Sequence, residues 1–320
     1  MASIVETTPI ASTDSRKYLY LAGIGVTHSF AYALHNLVAK SLDLPWEFIN
    51  QECPTVETVV EIFRRPTFAG GVVTMPYKQS IMPHLDELDD LALTLGACNN
   101  VYLTPEGKLR GTNTDWRGIK GCLLGANTEG KGKPAMIIGA GGASRAAVYA
   151  LSTELGCSPI YIINRDADEV AALLKDSSAY AKEDQPAPKL IHIQTVAQAK
   201  SLPSPYYIVG TVPDFEPQTA QELEARAMLT EFLDRMEGEK GVLLDMCFKP
   251  RNTRHLKLGK AAGWTTEEGT GIIGHQLEEQ WRLWAGQPKE KLPLDEAWKK
   301  LTEIVETHPG INFDNSAPKL

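Results

Sequence analysis

The sequence predicts an α/β protein built of two units. Short apolar runs bounded by turn residues alternate with stretches whose apolar residues recur at helical spacing. The 320 residues leave room for about two domains. A glycine run, Gly139-Ala140-Gly141-Gly142-Ala143-Ser144, joins one apolar run to a helix-like segment. Alternation of this kind favours a largely parallel sheet covered on both faces.

The elements follow in order. Residues 1–17, MASIVETTPIASTDSRK, lack a basic start and a long apolar core, so they read as a polar tail and not a secretory signal. Residues 18–26 read as a strand, and 29–42 as a helix with Phe30, Leu34, Leu37 and Val38 on one face. A strand near 46–49 precedes a helix over 56–65, with Thr55 as N-cap and Val59, Ile62 and Phe63 inward. A third strand covers 70–74, and 78–93 reads as one or two helices. A strand at 100–103 ends in the turn Pro105-Glu106-Gly107. The polar, Gly-rich stretch 126–134 marks a connection, followed by a strand at 135–138. A helix from the glycine run to about Leu155 stops at Gly156. Strands at 161–163, 190–193, 206–210 and 242–245, helices at 166–176, 271–285 and 293–306, and a surface loop at 178–189 complete the chain. Trp281 and Trp284, three apart, read as core.

Composition narrows the function. With 43% hydrophobic, 22% charged and 8% aromatic residues, the chain is neither disordered, collagenous nor coiled coil. Its net charge of −8 repels phosphate backbones and anionic lipid, against nucleic acid or a membrane surface as the main partner. No apolar run is long enough to span a bilayer. Cys53, Cys98, Cys122, Cys157 and Cys247 are widely spaced, with no CxxC or Cys/His cluster to hold a metal. They read as reduced thiols of a cytoplasmic protein. The closing Pro318-Lys319-Leu320 approaches a peroxisomal Ser-Lys-Leu address, but proline is a poor first residue for it.

The glycine run carries the first chemistry. Gly139 permits a tight turn, Gly141 lets the backbone approach a pyrophosphate, and Ser144 is small enough for close helix packing. The amides and dipole of the following helix would stabilise the phosphates. The next strand ends in Asn164-Arg165-Asp166-Ala167-Asp168-Glu169, where such folds read the ribose. An acidic residue there accepts from the free 2′-hydroxyl of NAD and repels the 2′-phosphate of NADP. Arg165 could stack on adenine or grip that phosphate, and the acids also suit a helix N-terminus. The reading favours NAD over NADP.

Further motifs follow one another along the chain. Gly23-Ile24-Gly25-Val26-Thr27-His28-Ser29-Phe30-Ala31-Tyr32-Ala33-Leu34-His35-Asn36 is similar to G-x-P-I-x-H-S-x-S-P-x-x-H-N. Val73-Thr74-Met75-Pro76-Tyr77-Lys78 is similar to N-V-T-x-P-x-K, and Gly96-Ala97-Cys98-Asn99 to G-A-x-N. Gly111-Thr112-Asn113-Thr114-Asp115 carries N-T-D, and Gly139 to Ala146 is close to G-A-G-G-A-A-R-A. Asp245-Met246-Cys247-Phe248-Lys249-Pro250 tracks D-x-x-Y-x-P, and Gly269 to Gln276 keeps the spacing of a C-terminal glycine and glutamine. In these motifs, over about residues 18–285, the chain resembles the shikimate/quinate dehydrogenase family.

The resemblance implies a substrate-binding domain of residues 1–117 and 271–320, a Rossmann domain of residues 118–270 inserted in it, and an active site in the cleft between them. It implies reversible oxidation of a ring hydroxyl of quinate or shikimate by an NAD(P)-dependent enzyme, with Lys78 and Asp115 as the catalytic pair. Either member could be the base. The substrate, a small polyhydroxy cyclic carboxylate, would meet Ser29, Tyr32, Thr74, Asn99, Gln276 and Phe248. The cofactor would meet Gly139, Ala140, Gly141, Gly142, Ala143, Asn164, Arg165, Asp166, Thr211 and Gly269. Thr211 reads equally as a strand-end turn. His28 and His35 read as structural, and the assembly as a monomer or homodimer. Three departures bear on substrate choice. Ala31 replaces a serine, Tyr32 a proline and Phe248 a tyrosine. Two hydroxyls near the family's substrate carboxylate are lost, and Tyr32 offers one in return. These departures leave room for another cyclohexane polyol carboxylate, or for a metabolite-binding regulator without turnover. The retained Lys78 and Asp115 favour the enzyme.

Overall fold

The computed structural model describes residues 16–181, 186–236 and 238–312. The N-terminal tail before residue 16, part of the expected 178–189 loop and the Pro318-Lys319-Leu320 tripeptide lie outside the described residues. The architecture is α/β with two sheets.

The first sheet is built from β1 (Lys17–Gly23), β2 (Trp46–Glu52), β3 (Phe68–Val73), β4 (Glu87–Leu88), β5 (Asn100–Leu103) and β6 (Leu109–Thr112), in the order β2-β1-β3-β5-β6-β4. It is mixed, since β5 runs antiparallel to both β3 and β6. Helices α1 (Ala31–Ser41), α2 (Val56–Phe63) and α3 (Asp90–Leu95) belong to this half. The Thr55 side chain caps α2 by accepting from the Thr58 amide, and Val59, Ile62 and Phe63 are buried, as the spacing predicts.

Helix α4 (Asp115–Ala126) leads to the second sheet: β7 (Ala135–Ile138), β8 (Ile160–Ile163), β9 (Leu190–His192), β10 (Tyr207–Gly210), β11 (Val242–Asp245) and β12 (Thr265–Glu268). Its order is β12-β11-β10-β7-β8-β9 and every pairing is parallel. Helices α5 (Gly142–Tyr149), α6 (Ala167–Ser177), α7 (Val196–Ser201), α8 (Ala220–Leu233) and α9 (Arg254–Ala261) connect these strands. Along β7, Ala135 and Ile137 enter one core, while Met136 and Ile138 enter the other. A strand buried on both faces is apolar throughout, which made β7 legible. Helix α10 (Thr270–Ala285) returns to the first sheet and α11 (Leu294–Thr307) follows it.

Two expectations are corrected. Residues 78–93 are not one or two helices. Turns lead to a 3₁₀ turn at Met82–His84, then β4, and only then α3, whose Asp89 cap accepts from the Ala92 amide at 2.7 Å. Pro83 in the first positions of the 3₁₀ turn, and the anchoring of Cys98 N on the Lys78 carbonyl at 2.7 Å, hold the segment irregular. The strand expected over 18–26 ends at Gly23, because Gly25 adopts φ +70 and opens a 3₁₀ turn at Val26–His28.

The two halves are tied by α4 against α10. A Cβ on Gly118 would lie 2.5 Å from Ile272 Cγ2, and one on Gly121 would strike the His275 imidazole. Only glycine lets these helices approach so closely. Beyond the crossing, α10 covers the first sheet, with Trp281 fully buried and Trp284 Nε1 donating to the Val101 carbonyl at 3.2 Å. Among the described residues no helix is long and apolar enough to cross a membrane.

Candidate active site

Asp115 opens α4, where a carboxylate suits the helix N-terminus, and its side chain is 6% exposed. Its Oδ2 accepts from Lys78 Nζ at 2.5 Å, and the Lys78 side chain is 16% exposed. Its Oδ1 accepts from Asn99 Nδ2 at 2.9 Å and Gln276 Nε2 at 3.1 Å. Asn99 precedes β5, and its Oδ1 accepts from the Thr114 amide at 2.6 Å. Gln276 Oε1 accepts from Gln280 Nε2 at 3.0 Å and Thr114 Oγ1 at 3.2 Å, which turns its Nε2 toward Asp115. The structure therefore joins Lys78, Asn99, Asp115 and Gln276 in one network. Sequence reasoning missed Thr114 and Gln280. Thr114 lay inside the Asn-Thr-Asp motif, and Gln280 one helical turn beyond Gln276.

The other expected substrate residues sit in the first half, outside this network. Ser29 is buried at the start of α1, and its Oγ accepts from the Ala31 amide at 3.3 Å. Thr74 follows β3, its amide donating to the Ala22 carbonyl at 3.0 Å. Tyr32 is 43% exposed in the first turn of α1. Phe248 packs its ring 5.7 Å from both His28 and Phe30. The loop carrying Ser29 is held by Glu52, which the sequence did not mark. Its carboxylate accepts from the amides of Gly25 and Val26.

His35 is structural, as expected. It stacks on Phe48 and accepts from Trp281 Nε1 at 3.2 Å, and burial pushes its pKa down to about 3. Burial, then the nearby Lys249, also lowers His28.

The glycine run connects β7 to α5. Gly139 adopts φ +119, and a Cβ there would strike Thr211 Oγ1. Thr211 donates to the Ile138 carbonyl at 2.8 Å and lies 2.7 Å from Ser144 Oγ, so it braces the turn. A Cβ on Gly141 would meet no protein atom within 4 Å. That open backbone edge at a helix N-terminus fits a pyrophosphate. The buried Arg145 donates to the carbonyls of Ala140 and Gly141, both at 3.2 Å, and is ion-paired with Asp176. Ala140 is buried and Ala143 half-buried within the same run. Gly142 backs onto the turn that carries Lys78, since a Cβ there would lie 3.4 Å from Lys78 Cβ. Gly269, before α10, leaves no room for a side chain beside the Asp245 carbonyl, 2.7 Å from a built Cβ.

At the end of β8, Asn164 Nδ2 donates to the Asp166 carbonyl at 3.1 Å and Glu169 Oε2 at 2.9 Å. Asp166 caps α6, its Oδ1 accepting from the amides of Asp168 and Glu169. Arg165 is paired with Glu222 of α8.

Residues 21–101 match the shikimate dehydrogenase substrate binding domain. Over 298 residues the chain is 39% identical to a quinate dehydrogenase of Emericella nidulans, covering 86% of this chain and 89% of that one. The chain belongs to the shikimate/quinate dehydrogenase family. Another relative, the pentafunctional AROM polypeptide of Schizosaccharomyces japonicus, is 33% identical over 290 residues; these are 88% of this chain but 18% of that one. Among solved structures, the shikimate 5-dehydrogenase of Thermus thermophilus, in complex with NADP(H) and shikimate, superposes with a TM-score of 0.66 at 26% identity, covering 89% of this chain and 99% of that one. The match to the shikimate dehydrogenase substrate binding domain over 21–101 spans Ser29, Thr74, Lys78 and Asn99.

Proposed function

We propose that this chain reversibly oxidises a ring hydroxyl of quinate or shikimate with a nicotinamide dinucleotide. The observation that carries the reading is the Lys78–Asp115 pair, 2.5 Å apart, in a turn backed by the glycine run. When bound, the nicotinamide supplies the acceptor for the hydrogen that leaves the carbinol carbon with its electron pair. The chain's own residues do the rest. The carbinol proton passes to the Lys78–Asp115 pair as the C=O bond forms, and returns from it in the reverse direction. Asn99 and Gln276 fix Asp115 Oδ1, which keeps Oδ2 on the lysine. Gly141 and the start of α5 cradle the pyrophosphate, braced by Thr211 and Arg145.

Ser29, Thr74 and Tyr32 offer hydroxyls to the substrate's hydroxyls and carboxylate, and Phe248 closes that end with an apolar ring. A substrate lacking a matched hydroxyl leaves a polar group unpaired, at a cost of about 1–3 kcal/mol. Residues 1–117 and 271–320 carry the substrate, and 118–270 the cofactor. NAD is favoured over NADP because Asp166, Asp168 and Glu169 gather where the adenosine ribose would lie. The free cysteines suit a cytoplasmic setting.

The test is isotopic. Quinate or shikimate deuterated at the carbinol carbon should pass its label to the nicotinamide ring with the wild-type chain, and about 10²–10⁴-fold more slowly with Lys78→Ala. Ketone formation without label on the nicotinamide would refute hydride transfer.

A further inference from the structure

The rim of β8 holds an ion pair that the reaction does not use. Resting on the reading that the adenosine of a nicotinamide dinucleotide lies over this strand end, Arg165 is the cation placed to take a 2′-phosphate. Its guanidinium is already occupied, because Nη1 donates to Glu222 Oε1. Glu222 is fixed from behind. Its Oε2 accepts from the amides of Gln218 at 2.9 Å and Thr219 at 3.0 Å, and the Thr219 hydroxyl accepts from the Glu222 amide at 3.2 Å. This reciprocal capping box anchors the side chain at the N-terminus of α8. Those backbone donors, Thr219 first, pull its pKa down to about 2, so it stays ionised at working pH. Asp166, Asp168 and Glu169 follow Arg165 at the start of α6, and the Asn164 amide is engaged by Glu169 and the Asp166 carbonyl.

We propose that Glu222, on an element remote in sequence from the glycine run, is a specificity-determining residue that acts through Arg165. By holding the guanidinium and adding its own charge, it withholds this cation from a 2′-phosphate. The rim is left acidic, as a free ribose 2′-hydroxyl requires. The pair is exposed and salt-screened, so its effect belongs to selectivity and not to stability.

Calorimetry with two fragments tests this without turnover. Adenosine 5′-monophosphate and adenosine 2′,5′-bisphosphate are titrated into the wild type, Glu222→Gln, Arg165→Ala and the double variant. Glutamine can keep the capping box while losing the charge. Glu222→Gln should tighten the bisphosphate about five- to tenfold and leave the monophosphate unchanged, a gain of the size expected when a charge-assisted contact becomes available. In the Arg165→Ala background the same substitution should gain less than about twofold, since no guanidinium is released. An unchanged bisphosphate-to-monophosphate ratio in Glu222→Gln overturns the proposal, as does an equal gain without Arg165. Failure of both fragments to bind the wild type overturns the adenosine-site reading beneath it, and is distinguishable from either result.

Discussion

At Asp115 one carboxylate gathers side chains from three other segments: Lys78 on Oδ2, Asn99 and Gln276 on Oδ1. In the proposed reaction the proton path runs through this pair, so losing the lysine removes general acid–base help. Lys78→Ala should lower kcat by about 10²–10⁴-fold in steady-state assays. An undiminished rate would take the lysine out of the chemistry. Each of these four residues stands in a motif the sequence displays, which is why they could be named before the fold was known. Thr114, Gln280 and Glu52 could not. Thr114 and Glu52 act on partners distant in sequence, as when Glu52 grips the amides of Gly25 and Val26, while Gln280 acts only through Gln276 one helical turn away.

The element that delivers Asp115 is α4, and its crossing with α10 brings Gln276 to it. Gly118 and Gly121 allow that crossing. Gly118→Val should force the helices apart, costing about 1–3 kcal/mol as overpacking. It should lower both Tm and kcat while leaving fragment binding at the glycine run intact. Unchanged thermal unfolding and rate would mean the contact is dispensable. The same glycines broke up the apolar pattern of α4 and hid it from sequence reading. The parallel strands β7, β8, β10 and β11 were legible because burial on both faces leaves them almost wholly apolar, with Asp245 at the end of β11 the charged exception. Residues 78–93 misled for the opposite reason. Ile81, Leu85, Leu88 and Ala92 recur at helical spacing, but Ile81 and Leu85 serve turns, Leu88 a short edge strand and only Ala92 a helix, so tertiary packing overrode the period.

Across the whole molecule the net charge of −8 opposes anionic ligands. Attraction is therefore local, from the amides at the start of α5, since Lys78 and Arg145 are already ion-paired with Asp115 and Asp176. Acid stability is also a property of the whole. His35 is buried and neutral, with its pKa taken from 6.5 down to about 3. The unfolded chain binds that proton first, so stability is intact above about pH 6.5 and falls on acidification toward pH 3, by up to about 1.4 kcal/mol per pH unit from this residue. Chemical denaturation as a function of pH should show a shallower acid slope in His35→Gln. Equal slopes would show that His35 does not stay neutral in the core.

The central proposal is that the Lys78–Asp115 site beside the glycine run oxidises a cyclic polyol carboxylate with a nicotinamide dinucleotide. The most direct measurement is the initial rate of the purified chain with quinate and with shikimate, each offered NAD and NADP, followed by nicotinamide absorbance. Turnover of at least one of the two acids, with NAD preferred, is the expected result. No turnover of either acid with either cofactor would contradict the account.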